Sequence, residues 1–307
     1  VALDFAAVAL GLVILIFAGD ALVKGAVNLA LRLGIPALVV SLTVVAFGTS
    51  APELLVGVRA ILDGAPGLAL GNVVGSNTAN VLLVLGVPAL LAGLHTAGCE
   101  TRRDYLMMMG GTILFIGLCM TGVLTWWHGL VLLAALAVIL VTTFLSSRAE
   151  PDEVEGADES IRGWRIALYL GLGLVGLPLG AELLVDGAVD IARSFGVSET
   201  VIGLTLVAIG TSLPELATTV MAALRRHAEV ALGNVIGSNL FNLLGIMGIA
   251  VLIGPVPVDP AFLRLDLWVM LAASLLLIPF VFFRVNITRP WGIGLTGAYA
   301  AYLWWLL

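Results

Sequence analysis

Charge is what this sequence has least of. Of 307 residues only 11% are Asp, Glu, Lys or Arg, and a single lysine, Lys24, stands beside thirteen arginines. A soluble domain of this length needs far more charge to cover its surface, so that class is excluded. The two cysteines, Cys99 and Cys119, form neither a disulfide framework nor a metal-ligand spacing. The three histidines, His95, His128 and His227, fall at expected span ends, which leaves the repeated segments described below without an imidazole for a soft metal or a hydrolytic centre. No basic flank precedes the first apolar run, where Asp4 is the only charge; this argues against a cleaved signal peptide and for a retained span. Apolar runs that are continuous rather than alternating disfavour a β-barrel. The net charge of −6 comes largely from one short loop and implies no nucleic-acid partner.

What remains is apolar: 61% hydrophobic residues and a mean hydropathy of +1.14. Runs of about 20 apolar residues, enough to cross ~30 Å of hydrocarbon, fill nearly the whole chain. The expected fold class is all-α, a polytopic protein of the lipid bilayer. The 36 glycines fit close helix packing. Breaks at charges, Gly-Pro pairs and basic clusters give ten spans, at 2–33, 36–62, 66–94, 104–122, 124–146, 164–195, 198–224, 229–253, 263–283 and 289–307. The first and sixth are too long to stand upright and are expected to tilt or bend. Trp126, Trp127, Trp291, Trp304 and Trp305 read as interfacial belt residues.

The chain repeats itself. Val39–Gly86 and Val201–Gly248 align without a gap at an offset of 162, with 25 identities in 48 positions. The shared words are GTSAPEL (Gly48–Leu54) with GTSLPEL (Gly210–Leu216), and GNVVGSNTAN (Gly71–Asn80) with GNVIGSNLFN (Gly233–Asn242). The first and sixth spans keep the same offset in GDALVKGAV (Gly19–Val27) and AELLVDGAV (Ala181–Val189), so the repeat is five spans long. An odd number of spans per repeat makes the two halves enter the membrane in opposite directions. Duplicated hydrophobic units broken by Gly and Pro are the mark of an internally symmetric transporter.

The arginines test that topology. Arg32, Arg102, Arg103, Arg148, Arg162, Arg165, Arg225, Arg226, Arg284 and Arg289 fall on one side, and only Arg59, Arg193 and Arg264 on the other. The positive-inside rule puts the first side in the cytoplasm and both termini outside. Three units follow: a first five-helix repeat at 1–146, an acidic cytoplasmic linker at 147–163, and a second inverted repeat at 164–307. The linker carries Glu150, Asp152, Glu153, Glu155, Asp158 and Glu159. It reads as a solvated connector, too short for a folded regulatory domain.

Glu53 and Glu215 carry the chemistry. A charge near mid-membrane costs roughly 2.5–3.5 kcal/mol on insertion scales, and no basic residue lies at their depth in spans two, three, seven or eight. Pro52 and Pro214 have no N–H and release a carbonyl near Gly48–Thr49 and Gly210–Thr211; such groups are tolerated at depth only where they line a cavity or meet a ligand. Thr49, Ser50, Thr211 and Ser212 add hydroxyls. Ser76 with Asn80, and Ser238 with Asn242, are spaced i,i+4 on one helix face. Such hard oxygens suit Ca²⁺ or Na⁺. Asn72, Asn77, Asn234 and Asn239 are expected mainly to bond exposed backbone groups. Asp20 and Lys24 read as a local ion pair, with Glu182 and Asp186 at the matching places in span six.

These paired G-T-S-x-P-E and G-N-x-[VI]-G-S-N-x-x-N motifs resemble the two α-repeats of the cation/Ca²⁺ exchanger superfamily, nearest its prokaryotic sodium/calcium exchanger branch. The resemblance implies an inner-membrane antiporter, not an enzyme, with Ca²⁺ and Na⁺ as transported ions and no cofactor. By it Glu53 and Glu215 are acidic ligands shared by Ca²⁺ and Na⁺. Thr49 and Thr211 match backbone-carbonyl and hydroxyl ligands, Ala46 and Ala208 match carbonyl donors to flanking Na⁺ sites, and Ser50, Ser76, Ser212 and Ser238 match hydroxyl ligands. Asn80 and Asn242 lie at the centre. Several branches carry Asp at the position of Asn242; with Asn at both places the core charge is −2, which argues against K⁺ co-transport. A Ca²⁺/H⁺ exchanger, a passive cation channel and an intramembrane enzyme are the competing readings. Oligomeric state is left open, a monomer being compatible with the sequence.

Overall fold

The computed structural model describes residues 2–147, 161–196 and 208–306. Its helices follow the ten expected spans: α1 (Ala2–Leu33), α2 (Ala37–Thr49 and Ala51–Leu62), α3 (Pro66–Leu91), α4 (Arg102–Cys119), α5 (Trp126–Ser147), α6 (Gly163–Ser194), α7 (Ala208–Thr211 and Leu213–Leu224), α8 (Ala228–Ile253), α9 (Phe262–Phe282) and α10 (Arg289–Leu306). Six are long and apolar enough to cross a bilayer, and the pair in α2, bent by 44°, makes a seventh. Of the rest, α4 opens with Arg102, Arg103 and Asp104, and α7 is described only from Ala208. The linker acids Glu150–Glu159 and the start of the seventh span lie outside the described residues.

α1 and α6 are each 32 residues long, about 48 Å at 1.5 Å per residue, and longer than an upright crossing of ~30 Å needs. They pack antiparallel, and small residues set the contact. A Cβ at Gly11 would lie 2.7 Å from the Gly180 carbonyl, one at Gly173 2.5 Å from Leu22, and one at Gly187 2.7 Å from the Asp4 carbonyl. Only glycine lets these backbones approach so closely.

The centre belongs to α3 and α8, whose apolar windows are 78% buried against 22% for α6. Gly237 of α8 sits directly on the Leu42 carbonyl of α2, and Ser41 of α2 donates to the Val230 carbonyl at 2.6 Å. Each central helix carries a wider, π-helical turn that takes in the last asparagine of its motif, at Asn80–Val84 and Phe241–Ile246. Such turns rotate the residues around them and are frequent at functional sites.

Two short backbone pairings brace the bundle. Val123–Leu124 pairs antiparallel with Val256–Pro257, and Leu94 bridges Ile287. Adding 162 to Leu94 gives Val256, so the two pairings hold matching loops of the two halves. Several arginine-bearing loops gather at one end. Gly163 lies against the Arg32 guanidinium, Arg289 donates to the Leu91 carbonyl at 3.4 Å, and Arg226 lines a recess with Gly93, Leu94 and His95.

Candidate cation site

The breaks in α2 and α7 fall at Ser50 (φ −85°, ψ 9°) and Ser212 (φ −87°, ψ 3°). Proline is the second residue of the helix that follows, where its missing N–H is harmless, and Glu53 and Glu215 are the third. Ser-x-x-Glu at a helix start would normally close a capping box, with serine and glutamate bonding the backbone N–H groups of their own helix. Neither break does so: no side-chain cap hydrogen bond forms at Ser50 or Ser212. The Ser50 hydroxyl instead crosses to the other repeat and donates to Glu215 Oε1 at 3.0 Å, and Ser238 donates to the same oxygen at 3.4 Å.

The carboxylates are fully enclosed, Glu53 at 1% exposure and Glu215 at 0%. Each stands in the first turn of a half-helix, where the N-terminal end of the dipole favours negative charge. The Ser50–Glu215 bond brings the two breaks together, Ser50 standing three residues before Glu53. Among the described residues neither forms an ion pair; the pairs present are peripheral, such as Asp20 with Lys24 and Asp190 with Arg193, each at 3.3 Å.

A scaffold of asparagines holds the breaks in place and obeys the internal two-fold. Asn72 donates to the Glu53 carbonyl at 3.3 Å, and its counterpart Asn234 to the Glu215 carbonyl at 3.3 Å. Asn234 also donates to Thr219 Oγ1 at 3.1 Å and accepts from Thr49 Oγ1 at 3.3 Å. Between α3 and α8, Asn80 donates to Asn239 Oδ1 at 3.1 Å and Asn242 to Asn77 Oδ1 at 3.3 Å. The 162-residue offset turns one of these bonds into the other. Outside them lie the matched contacts Asn77 to Met270 Sδ and Asn239 to Met108 Sδ, each 3.8 Å.

The expected backbone-bonding role therefore describes Asn72 and Asn234, while Asn77 and Asn239 mainly join the two repeats. The sulfurs of Met108 and Met270, and Thr219, were not singled out from the sequence. The offset of 162 relates Met108 to Met270, yet nothing in an apolar run marks one methionine among several as an amide's partner.

The other expected site residues fall as follows. Thr49 is buried, and its hydroxyl also reaches the Ala46 carbonyl at 3.3 Å. That carbonyl also accepts the Ser50 N–H at 3.1 Å. Thr211 is half-buried, and Ala208 opens the short helix that ends there. Ser76, Ser212, Ser238, Asn80 and Asn242 are all buried.

Glu53 Oε2, Glu215 Oε2, Asn80 Oδ1, Asn242 Oδ1 and Ser212 Oγ are buried atoms with no hydrogen-bond partner. An unsatisfied buried acceptor costs about 1–3 kcal/mol, more when charged. Native interiors leave few such atoms, and each calls for a reason. Among the described residues five belong to the motifs, and only Thr296 Oγ1 lies elsewhere. Carboxylate, amide and hydroxyl oxygens contributed by both repeats fit a hard cation. No cluster of three or more His, Cys, Asp or Glu occurs among the described residues, so the set is unlike a resident transition-metal centre.

The sequence profile of a family described as "Sodium/calcium exchanger protein" matches residues 3–145 and 165–307. The sodium/calcium exchanger MaX1 of Methanosarcina acetivorans is 34% identical, over 99% of this chain and 98% of that one. The inner membrane protein YrbG of Escherichia coli is 34% identical, over 96% and 95%. Among solved structures, the sodium-calcium exchanger NCX_Mj soaked with Na⁺ and Ca²⁺ superposes with a TM-score of 0.87 at 32% identity, over 100% of this chain and 99% of that one. Crystals of the same exchanger have been soaked with Sr²⁺.

Proposed function

Because the chain belongs to the sodium/calcium exchanger family, we propose that it is a secondary antiporter moving Ca²⁺ one way against Na⁺ the other. It is a multi-pass membrane ion exchanger and not an enzyme. The cluster of buried, unpartnered oxygens from both repeats carries the finer reading. Glu53 and Glu215 are the ligands shared by both ions, with Asn80 and Asn242 between them. Ser50, Ser76, Ser212, Ser238, Thr49 and Thr211 complete the shells, and the Ala46 and Ala208 carbonyls serve flanking Na⁺.

The site's charge supplies the coupling. One Ca²⁺ or two Na⁺ balance the two carboxylates, and a third Na⁺ makes the cycle electrogenic. Without ions, two like charges face each other away from water, so the switch between sides is slow until a cation neutralises them. That penalty separates exchange from leak.

Access follows from an asymmetry between the halves. α1 lies on the second half of α7, with Gly19 against the Ala217 carbonyl. Leu55, which the repeat places opposite Ala217, is 68% exposed. The α1–α6 pair thus closes the bundle on the side of the arginine-rich loops and leaves it looser on the other. Sliding that pair reverses the arrangement. The chain sits in the cell (inner) membrane with both termini outside, residues 1–146 and 164–307 as the exchanging halves, and the 147–163 linker in the cytoplasm.

Proteoliposomes test this. Glu53→Gln and Glu215→Gln are each expected to abolish Ca²⁺ uptake driven by a Na⁺ gradient, and undiminished uptake would overturn the assignment. Uptake driven equally well by a pH gradient would make the counter-ion H⁺. Uptake needing no counter-ion would make the protein a channel.

A further inference from the structure

Away from the transport site, the end of the bundle with the arginine-rich loops holds a cavity of about 730 Å³ between the start of α4 and the end of α9. Its polar wall is Arg102, Arg103 and Arg284 with one acid, Glu100; its apolar wall includes Leu106 and Phe282. Two of the basic side chains are held in place. Arg102 stacks over the Phe282 ring at 4.8 Å, and Arg103 donates to the Thr142 carbonyl at 3.2 Å. Arg284 approaches Glu100 only to 4.0 Å, and both are largely exposed. Arg103 has the Asp104 carboxylate beside it in the first turn of α4, so Arg102 and Arg284 against the weakly engaged Glu100 leave one uncompensated positive charge facing the cavity.

The backbone of Arg284 lies in the left-handed region at φ 52°. That conformation follows the end of α9 and turns the chain into the loop before α10. The cavity also meets the lipid-facing surface. Leu106 and Phe283 beside it are exposed, and both belong to span ends that would lie at the headgroup layer. A planar guanidinium fork matches phosphate oxygens bidentately. Basic pockets between helices at this level bind anionic headgroups.

We propose that this cavity holds the phosphate headgroup of an anionic phospholipid, with its acyl chains lying over Leu106 and Phe283. The lipid ties the start of α4 to the end of α9, one helix from each repeat. The occupant is a lipid rather than free phosphate because only a lipid uses the apolar wall.

The test is native mass spectrometry of the full chain with phosphatidylglycerol and phosphatidylcholine, against Arg102→Gln/Arg103→Gln/Arg284→Gln. Each arginine contributes about fivefold in affinity near a membrane surface. The triple variant should therefore bind phosphatidylglycerol on the order of a hundredfold more weakly, with phosphatidylcholine unchanged. Arg32→Gln/Arg289→Gln, at the same end but outside the cavity, should retain wild-type binding. A Ca²⁺-dependent rise in melting temperature in the triple variant certifies its fold. Equal phosphatidylglycerol retention in the triple variant overturns the site. So does an equal loss in the Arg32/Arg289 variant, which would reduce the effect to general surface charge. Displacement of the lipid by millimolar inorganic phosphate would overturn the lipid as occupant.

Discussion

Asp20 of α1 is ion-paired with Arg225 at the end of α7, whereas the residues at the equivalent positions of the opposite repeats, Glu182 and Asp63, are both acids. The sequence pairs Asp20 with Lys24, and that contact is present; the partner from across the bundle has no sequence signal. An exchange of roles between the repeats would bring Glu182 toward Asp63, so attraction favours the observed arrangement and repulsion opposes its mirror image.

Asp20→Asn should therefore populate the alternate arrangement more. A partly exposed pair contributes about 0.2–1 kcal/mol, so the equilibrium should move by up to about fivefold. A cysteine introduced as Ala217→Cys, covered by Gly19 in this arrangement, should react faster with a water-soluble maleimide in the Asp20→Asn background. Asp63→Arg, which gives Glu182 a partner, should act in the same direction. No change in labelling rate with either substitution would remove the latch from the account.

The asparagines that steady the two breaks are unequal despite their matched positions. Asn234 is fully buried and makes three bonds, whereas Asn72 is half-buried and makes one. Asn234→Ala should cost about 1–3 kcal/mol by stranding buried partners, and Asn72→Ala about 0.5–1.5 kcal/mol. Thermal unfolding in detergent should rank the two in that order. Equal losses would mean that the bond to the glutamate carbonyl, common to both, is the one that matters, and a reversed rank would overturn the argument from bond count.

Packing of α8 on α2 makes a sharper prediction. A Cβ at Gly237 would strike the Leu42 carbonyl and come within 2.6 Å of Ala46 Cβ; neither can swing away as a flexible side-chain tip can. Gly237→Ala should cost about 1–3 kcal/mol by overpacking and separate Ser238 from Glu215. Gly110→Ala in α4, where no described atom lies within 4 Å, should be neutral or gain up to about 1 kcal/mol of helix propensity. Comparing Na⁺-driven uptake and melting temperature of the two variants checks this.

Much of this was legible in the chain because duplication makes a strong signal. The offset of 162 located both glutamates, the prolines behind each break and the facing Ser-Asn pairs, and the spans followed from apolar length. What escaped depends on partners that periodicity does not encode. Ser-x-Pro-Glu reads locally as a helix cap, and only the approach of the other repeat diverts Ser50 to Glu215. The crossing of Asn80 to Asn239 and Asn242 to Asn77 requires two helices in register. Two nearly identical words also cannot reveal which half is engaged. Glu215 receives hydroxyls from Ser50 and Ser238, while Ser212, placed by the repeat to serve Glu53, has no partner.

Asn242 tests the charge of the site most directly. Its amide donates to Asn77 Oδ1 at 3.3 Å, and its own Oδ1 is one of the unpartnered oxygens. In Asn242→Asp the donor becomes a second carboxylate oxygen facing Asn77 Oδ1, and the site charge changes from −2 to −3. Rotation of the Asn77 amide could restore a bond only by giving up its long contacts, 3.5 Å to the Asn239 carbonyl and 3.8 Å to Met270. The ion-free protein should therefore lose about 1–3 kcal/mol, a fall of several degrees in melting temperature at roughly 2–4 °C per kcal/mol. Ca²⁺ binds the folded state and offsets the added charge, so the Ca²⁺-induced rise in melting temperature should exceed that of the wild type. An unchanged or smaller rise would place position 242 outside the ion's coordination shell and leave Glu53 and Glu215 to bind it with the serines alone.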